Sequence, residues 1–204
     1  KFEVSIGEPI RPMLAERLGS PKEILEKLGG KCIAEYKYDG ERIEAHKKAD
    51  SVTLFSRRLE NITDQYPDAA ELIKQHVKAE VAIIEAECVA IDTDTGEMRP
   101  FQELMHRRRK YDIRKSIEEY PVSLFVFDVL YVDGRDLTLD PYPTRHKILT
   151  GMIRESDRVT RAKYMITDDA DELERFFEEA IENGCEGLVC KSVSEEAVYR
   201  AGAR

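Results

Sequence analysis

Apolar and polar positions alternate along 32–38: Cys32, Ala34 and Tyr36 fall on one side of the chain, Ile33, Glu35 and Lys37 on the other. A period of two predicts a strand, because successive side chains of an extended chain point to opposite faces. Asp39-Gly40 reads as a tight turn into a second strand over 42–47, and 52–56 reads as a third. Asp64 and Pro67 open a helix whose Ala69, Leu72, Ile73 and Val77 recur at helical spacing. A strand over 81–92 ends in the turn Asp94-Thr95-Gly96, and 101–110 reads as helical. The run from Val122 to Val132, rich in β-branched and aromatic residues, predicts a long strand stopped by Asp133-Gly134. A helix over 144–154 and a strand-like stretch over 158–166 follow. Asp168 or Asp169 caps a helix carrying Leu173, Phe176, Phe177, Ala180 and Ile181 on a core-facing stripe, and Asn183-Gly184 ends it. Gly187 to Ser192 is the last strand. Hairpins dominate and the strand–helix alternation is irregular, which predicts an α+β fold of mostly antiparallel sheets flanked by helices rather than a doubly wound one.

Composition narrows the class. The 204 residues suit one large domain or two small ones, and 42% hydrophobic content supports a core. No apolar stretch is long enough to span a membrane, and no leader segment is visible at the start, so a soluble protein is expected. The four cysteines (Cys32, Cys88, Cys185, Cys190) sit in apolar runs without Cys-x-x-Cys spacing. They read as small buried hydrophobes of a reducing compartment, the cytoplasm, or the nucleus in a eukaryote. A net charge of −9 speaks against a nucleic-acid partner on average composition. Two basic clusters run against that average: Arg57-Arg58, and His106 to Lys110, which reads equally as a track for DNA phosphates and as a solvated helix face. The histidines His46, His76, His106 and His146 show no metal-ligand spacing.

A lysine inside an apolar strand is unusual, although an edge strand can point one at solvent. Lys37 shares its face with Glu35, and the turn that follows brings Arg42 back, gathering an amine, a carboxylate and a guanidinium at one strand end. Lysine is a nucleophile only as the free amine, a form that neighbouring cations and desolvation favour.

Lys37-Tyr38-Asp39-Gly40-Glu41-Arg42 resembles the first motif of the covalent nucleotidyltransferases: DNA ligases, RNA ligases and mRNA capping enzymes. Phe55 to Asn61 resembles the Ser-Arg segment of DNA ligases, and Glu85 to Asp92 is similar to the third motif, with Glu87 at the key glutamate. Leu124 to Tyr131 is similar to the aromatic motif that follows, and Glu186 to Lys191 to the fourth. These five segments lie in order across 35–191, and Pro12-Met13-Leu14-Ala15 resembles the entry to a ligase adenylation domain. The wording is closest to archaeal and eukaryotic replicative-type DNA ligases.

The resemblance implies an ATP-grasp-like nucleotidyltransferase domain over 1–204, cut from a longer chain ahead of a last motif and an oligonucleotide-binding-fold domain, and lacking an N-terminal DNA-binding domain. By itself such a piece is expected to seal nicks poorly. The resemblance also implies the cofactors ATP and Mg²⁺, a covalent AMP on Lys37, nicked double-stranded DNA as partner, and a sliding clamp contacted by segments elsewhere. Glu35 would accept a hydrogen bond from the adenine amino group, Phe127 would stack on the base, and Arg42 and Arg57 would hold ribose or phosphate oxygens. Glu87 would hold the ribose hydroxyls or a metal, Glu186 would help bind Mg²⁺, Lys191 would contact the α-phosphate, and Arg204 would begin the last nucleotide-contacting segment. Rival readings are an RNA ligase, a GTP-using capping enzyme, and a non-catalytic nucleotide- or DNA-binding module. Glu35 speaks for adenine over guanine, whose carbonyl a carboxylate repels, and the Ser-Arg-Arg-Leu-Glu-Asn segment speaks for DNA ligase.

Overall fold

The computed structural model describes residues 3–109 and 112–202. Its helices are α1 (Pro21–Lys27), α2 (Pro67–His76), α3 (Met105–Arg109), α4 (Ile113–Glu119), α5 (Tyr142–Met152) and α6 (Ala170–Glu182). Its strands are β1 (Cys32–Lys37), β2 (Glu41–Lys48), β3 (Ser51–Phe55), β4 (Val81–Ala90), β5 (Val122–Val132), β6 (Arg135–Asp136), β7 (Val159–Arg161), β8 (Tyr164–Thr167) and β9 (Gly187–Ser192). They form a small sheet, β8-β1-β9, and a larger one, β3-β2-β4-β5-β6, with β7 added alongside β5. All pairings between these strands are antiparallel except β5 with β7.

The helix signals act locally as the sequence suggests. Pro67 occupies the first turn of α2, where its missing N–H is not needed. Asp169 caps α6 by accepting from the Asp171 and Glu172 N–H groups. The sequence reading overlooks α1 and α4, each of seven residues and too short for a clear helical period, although Ser20 and Asp112 cap them.

Two expected connections differ. Asp39-Gly40 is not a hairpin turn: β1 lies in the small sheet and β2 in the large one. Both edges of β1 are already occupied, by β8 and β9, so β2 has no edge to pair with. At the crossover Gly40 presses on the Cys88 carbonyl so closely that an added Cβ would lie 2.2 Å from that oxygen. The stretch 158–166 likewise divides, with β7 joining the large sheet and β8 the small one.

Each sheet buries one face against helices. Ile43, Ala45, Ala86, Cys88, Leu124 and Val126 of the large sheet pack with Ala69 and Ile73 of α2 and Leu149 of α5. Cys32, Ala34 and Tyr36 of the small sheet pack with Leu173, Phe176 and Ala180 of α6. A large aliphatic side chain fully buried this way contributes about 1.5–3 kcal/mol. The sheets meet where Tyr38 stacks on Phe125, ring centroids 3.9 Å apart. The remaining face of β4 carries Glu85 and Glu87. The register of β5 against β4 slips there: Glu85 pairs with Asp128 but Ala86 with Val126, leaving Phe127 as the extra residue of a bulge. Such a bulge breaks the ladder locally and re-aims its side chain.

Candidate active site

The polar face of β1 points into the space between the sheets. Glu35 is only 2% exposed. One of its carboxylate oxygens lies 2.7 Å from Lys191 Nζ of β9, and the other accepts the Tyr142 hydroxyl of α5. Lys191 Nζ also sits 4.8 Å from the centre of the Phe127 ring, across from the small sheet to the large one. Glu35, Phe127 and Lys191, singled out separately in the sequence, therefore form one cluster. Lys191 sits on Glu35 in it: β9 places Lys191 opposite Ile33, whereas Gly187 stands opposite Lys37.

Lys37 ends β1 half exposed, with its Nζ 3.3 Å from Glu186, whose backbone N–H in turn donates to the Lys37 carbonyl. Its charged partner is thus a carboxylate. Arg42 takes its charged partners from β2 and β4. It is the second residue of β2, opposite Glu87, and it turns to Glu85, 2.9 Å away, with Glu44 at 3.9 Å. Burial works against the Arg42 charge, but Glu85, Tyr199 and Glu44 outweigh it and hold its pKa above the usual arginine value. Arg42 Nη1 is buried without a hydrogen-bond partner among the described residues. Glu87 is pushed up to about 8, chiefly by burial, with Glu41 and Glu186 adding and Arg42 and the Gly40 N–H opposing. No group of three or more His, Cys, Asp or Glu suited to a metal ion occurs among the described residues.

The other basic residues separate. Arg57 is exposed in the loop after β3, where the Ser56 hydroxyl accepts the Arg58 and Glu60 N–H groups. Arg107 is neither a phosphate track nor solvated: it is 1% exposed and forks onto both Asp68 oxygens at 2.7 Å, with further bonds to the Tyr120 and Gln65 carbonyls. Arg204 and Lys110 lie outside the described residues. All four cysteines are free, three of them buried. No helix among the described residues is long and apolar enough to cross a membrane.

Sequence reasoning missed five polar residues in and around the site. Glu85 had a signal, since a carboxylate in a strand that is otherwise apolar needs a partner. Tyr142, Tyr199 and the buried Arg145–Asp128 pair had none, because their partners are remote in sequence.

Over residues 12–204 the sequence matches the family described as ATP dependent DNA ligase domain. The chain belongs to that family. This ligase domain is 58% identical over 204 residues to a DNA ligase of Caldivirga maquilingensis, covering 100% of the chain and 34% of that protein. It is 56% identical over 199 residues to a DNA ligase of Hyperthermus butylicus, covering 98% and 33%, and 55% identical over 204 residues to a probable DNA ligase of Aquifex aeolicus, covering 100% and 35%. The ligase domain thus spans about a third of the length of these curated relatives. Its fold is similar to a mycobacterial DNA ligase D complexed with ATP and MES, with a TM-score of 0.70 at 24% identity, covering 100% of this chain and 59% of that one. It is also similar to a Chlorella virus DNA ligase-adenylate, with a TM-score of 0.62 at 16% identity, covering 94% and 62%. The α+β architecture of mostly antiparallel sheets expected from the sequence is the architecture of this ligase domain.

Proposed function

We propose that the chain is the adenylation core of an ATP-dependent DNA ligase in which Lys37 carries the AMP. The carrying observation is the placement of Lys37 at the end of β1, half exposed, on the same strand face as the Glu35–Phe127–Lys191 cluster and beside Glu186. A purine ring on Phe127 would bring its amino group to Glu35, a group that accepts hydrogen bonds when ionised. Lys191 would give up its place on Glu35 and turn to the α-phosphate. Arg42 would offer its free Nη1 to a ribose or phosphate oxygen, and Arg57 would reach the nucleotide from its loop.

In the first step Lys37 leaves Glu186 and sheds a proton. Its nitrogen forms a bond to the α-phosphorus of ATP as the bond to pyrophosphate breaks. In the second, a 5′-phosphate oxygen at a DNA nick takes the AMP and Lys37 is released. In the third, the 3′-hydroxyl attacks that 5′-phosphorus, AMP leaves and the strand is closed. Fixed cationic donors lower each barrier by meeting the charge that builds on phosphate oxygens. Glu87 and Glu186 would hold Mg²⁺, which binds through one or two carboxylates plus substrate phosphates, and it would neutralise phosphate charge there.

Nicked duplex DNA is the proposed substrate, with segments beyond this chain gripping it and, in the same proposal, a sliding clamp engaging those segments. The test is sealing of a nicked DNA duplex by the full-length protein with ATP, with GTP, and with an RNA nick in place of DNA. Sealing of DNA with ATP alone is expected. Sealing driven by GTP, or confined to RNA, would overturn the proposal.

A further inference from the structure

Tyr142 opens α5 and is 3% exposed. Its hydroxyl has one proton and two neighbours suited to accept it: a Glu35 carboxylate oxygen, and the Phe127 carbonyl at 2.9 Å. Lys191 Nζ approaches the same hydroxyl at 3.3 Å as a donor. The Phe127 carbonyl is within reach because the bulge leaves Phe127 without a register partner on β4. Tyr142 itself is held firmly. Its backbone N–H donates to the Ala197 carbonyl at 2.8 Å, and the Arg145 guanidinium lies 5.2 Å from its ring centre. Arg145 is in turn fixed by a two-point ion pair to buried Asp128, at 2.9 and 3.2 Å.

We infer that Tyr142 is a positioning residue that fixes Glu35 as the acceptor for the amino group of a bound adenine; the inference rests on the reading of Glu35 proposed above. When the base takes the place of Lys191 on Glu35, the Tyr142 hydroxyl is the contact that keeps the carboxylate from turning. Tyr142 need not touch the nucleotide. Its removal therefore changes which purine is chosen rather than the reaction at phosphorus.

The test uses the full-length protein as wild type, Tyr142→Phe and Glu35→Ala. Each is supplied with ATP or with purine riboside triphosphate, which lacks the amino group, and formation of the protein–nucleotide adduct is followed. The preference for ATP is a ratio within one protein, so a partly unfolded preparation scales both arms alike. Wild type is expected to prefer ATP, Glu35→Ala to lose the preference, and Tyr142→Phe to lower it roughly ten-fold, the size of one hydrogen bond to a charged group. Tyr142→Phe with the wild-type preference, while Glu35→Ala has lost it, would overturn the role of Tyr142 and leave that of Glu35 standing. An undiminished preference in Glu35→Ala would remove the reading of Glu35 and this inference with it. A Tyr142→Phe protein too unstable to use either nucleotide would also contradict the inference, since the hydroxyl would then serve stability instead of selectivity.

Discussion

Glu35 and Lys37 stand two residues apart on one strand face, yet one is buried and the other half exposed. The alternation that puts them on the same side is visible in the sequence. The depth of each is not, because it is set by what crosses above the strand: Tyr142 and Lys191 over Glu35, Glu186 beside Lys37. Gly40 is a sharper case. The sequence reads it as a turn residue, whereas its missing side chain makes room for the Cys88 carbonyl. Gly40→Ala is predicted to destabilise the protein by about 1–3 kcal/mol through overpacking, and to move Glu87 and Arg42 enough to cut adduct formation with ATP by more than about ten-fold; thermal melts and adduct assays would check both. Arg107 is hidden inside a basic run, and only the fold brings Asp68 to it. Losing one partner of a buried pair leaves an uncompensated charge, so Arg107→Ala is predicted to cost about 3–5 kcal/mol of stability. Below its lowered melting temperature the variant should seal nicks at the wild-type rate, which urea unfolding and a sealing assay would test together.

Among the elements, α5 carries the most that sequence pattern could not supply. Its expected range begins at 144, two residues past the Tyr142 that matters, because helical periodicity marks an interior better than a first turn. The bulge in β5 is hidden for a related reason: an apolar run looks the same with or without an extra residue. The β1–β2 connection is misread because a turn signal does not say which edges are free. On α5, His146 faces Tyr142, Tyr164, Arg161 and Lys191, and it is pushed down to about 4 by burial and then by the two cations. An unfolded chain protonates this imidazole near pH ~6.5. Between that pH and about 4 the unfolded state therefore takes up a proton that the folded state refuses. Stability from this group is complete above pH ~6.5 and falls as the pH drops through that window. His146→Phe is predicted to remove that part of the slope, about 3 kcal/mol between roughly pH 7 and pH 4. Urea unfolding of both proteins across the range would show it as a difference that vanishes if His146 is not involved.

At the scale of the whole molecule, the two sheets each contribute what the other lacks. The small sheet and the turn leading into it bring Glu35, Lys37, Glu186 and Lys191, and the large one brings Arg42, Glu87 and Phe127. Their order in the sequence is legible as motifs, within the 12–204 span that matches the ligase family. Their meeting in space depends on the crossover at Gly40 and the Tyr38–Phe125 stack. The net charge of −9 carries little weight against this, because charge averaged over a surface does not describe a cleft. The most direct measurement is the mass of the full-length protein after incubation with ATP, with the modified residue then mapped. A gain of one AMP located on Lys37 is expected, with no gain in Lys37→Ala. An adduct on another residue, or an unchanged gain in Lys37→Ala, would contradict the role proposed for Lys37.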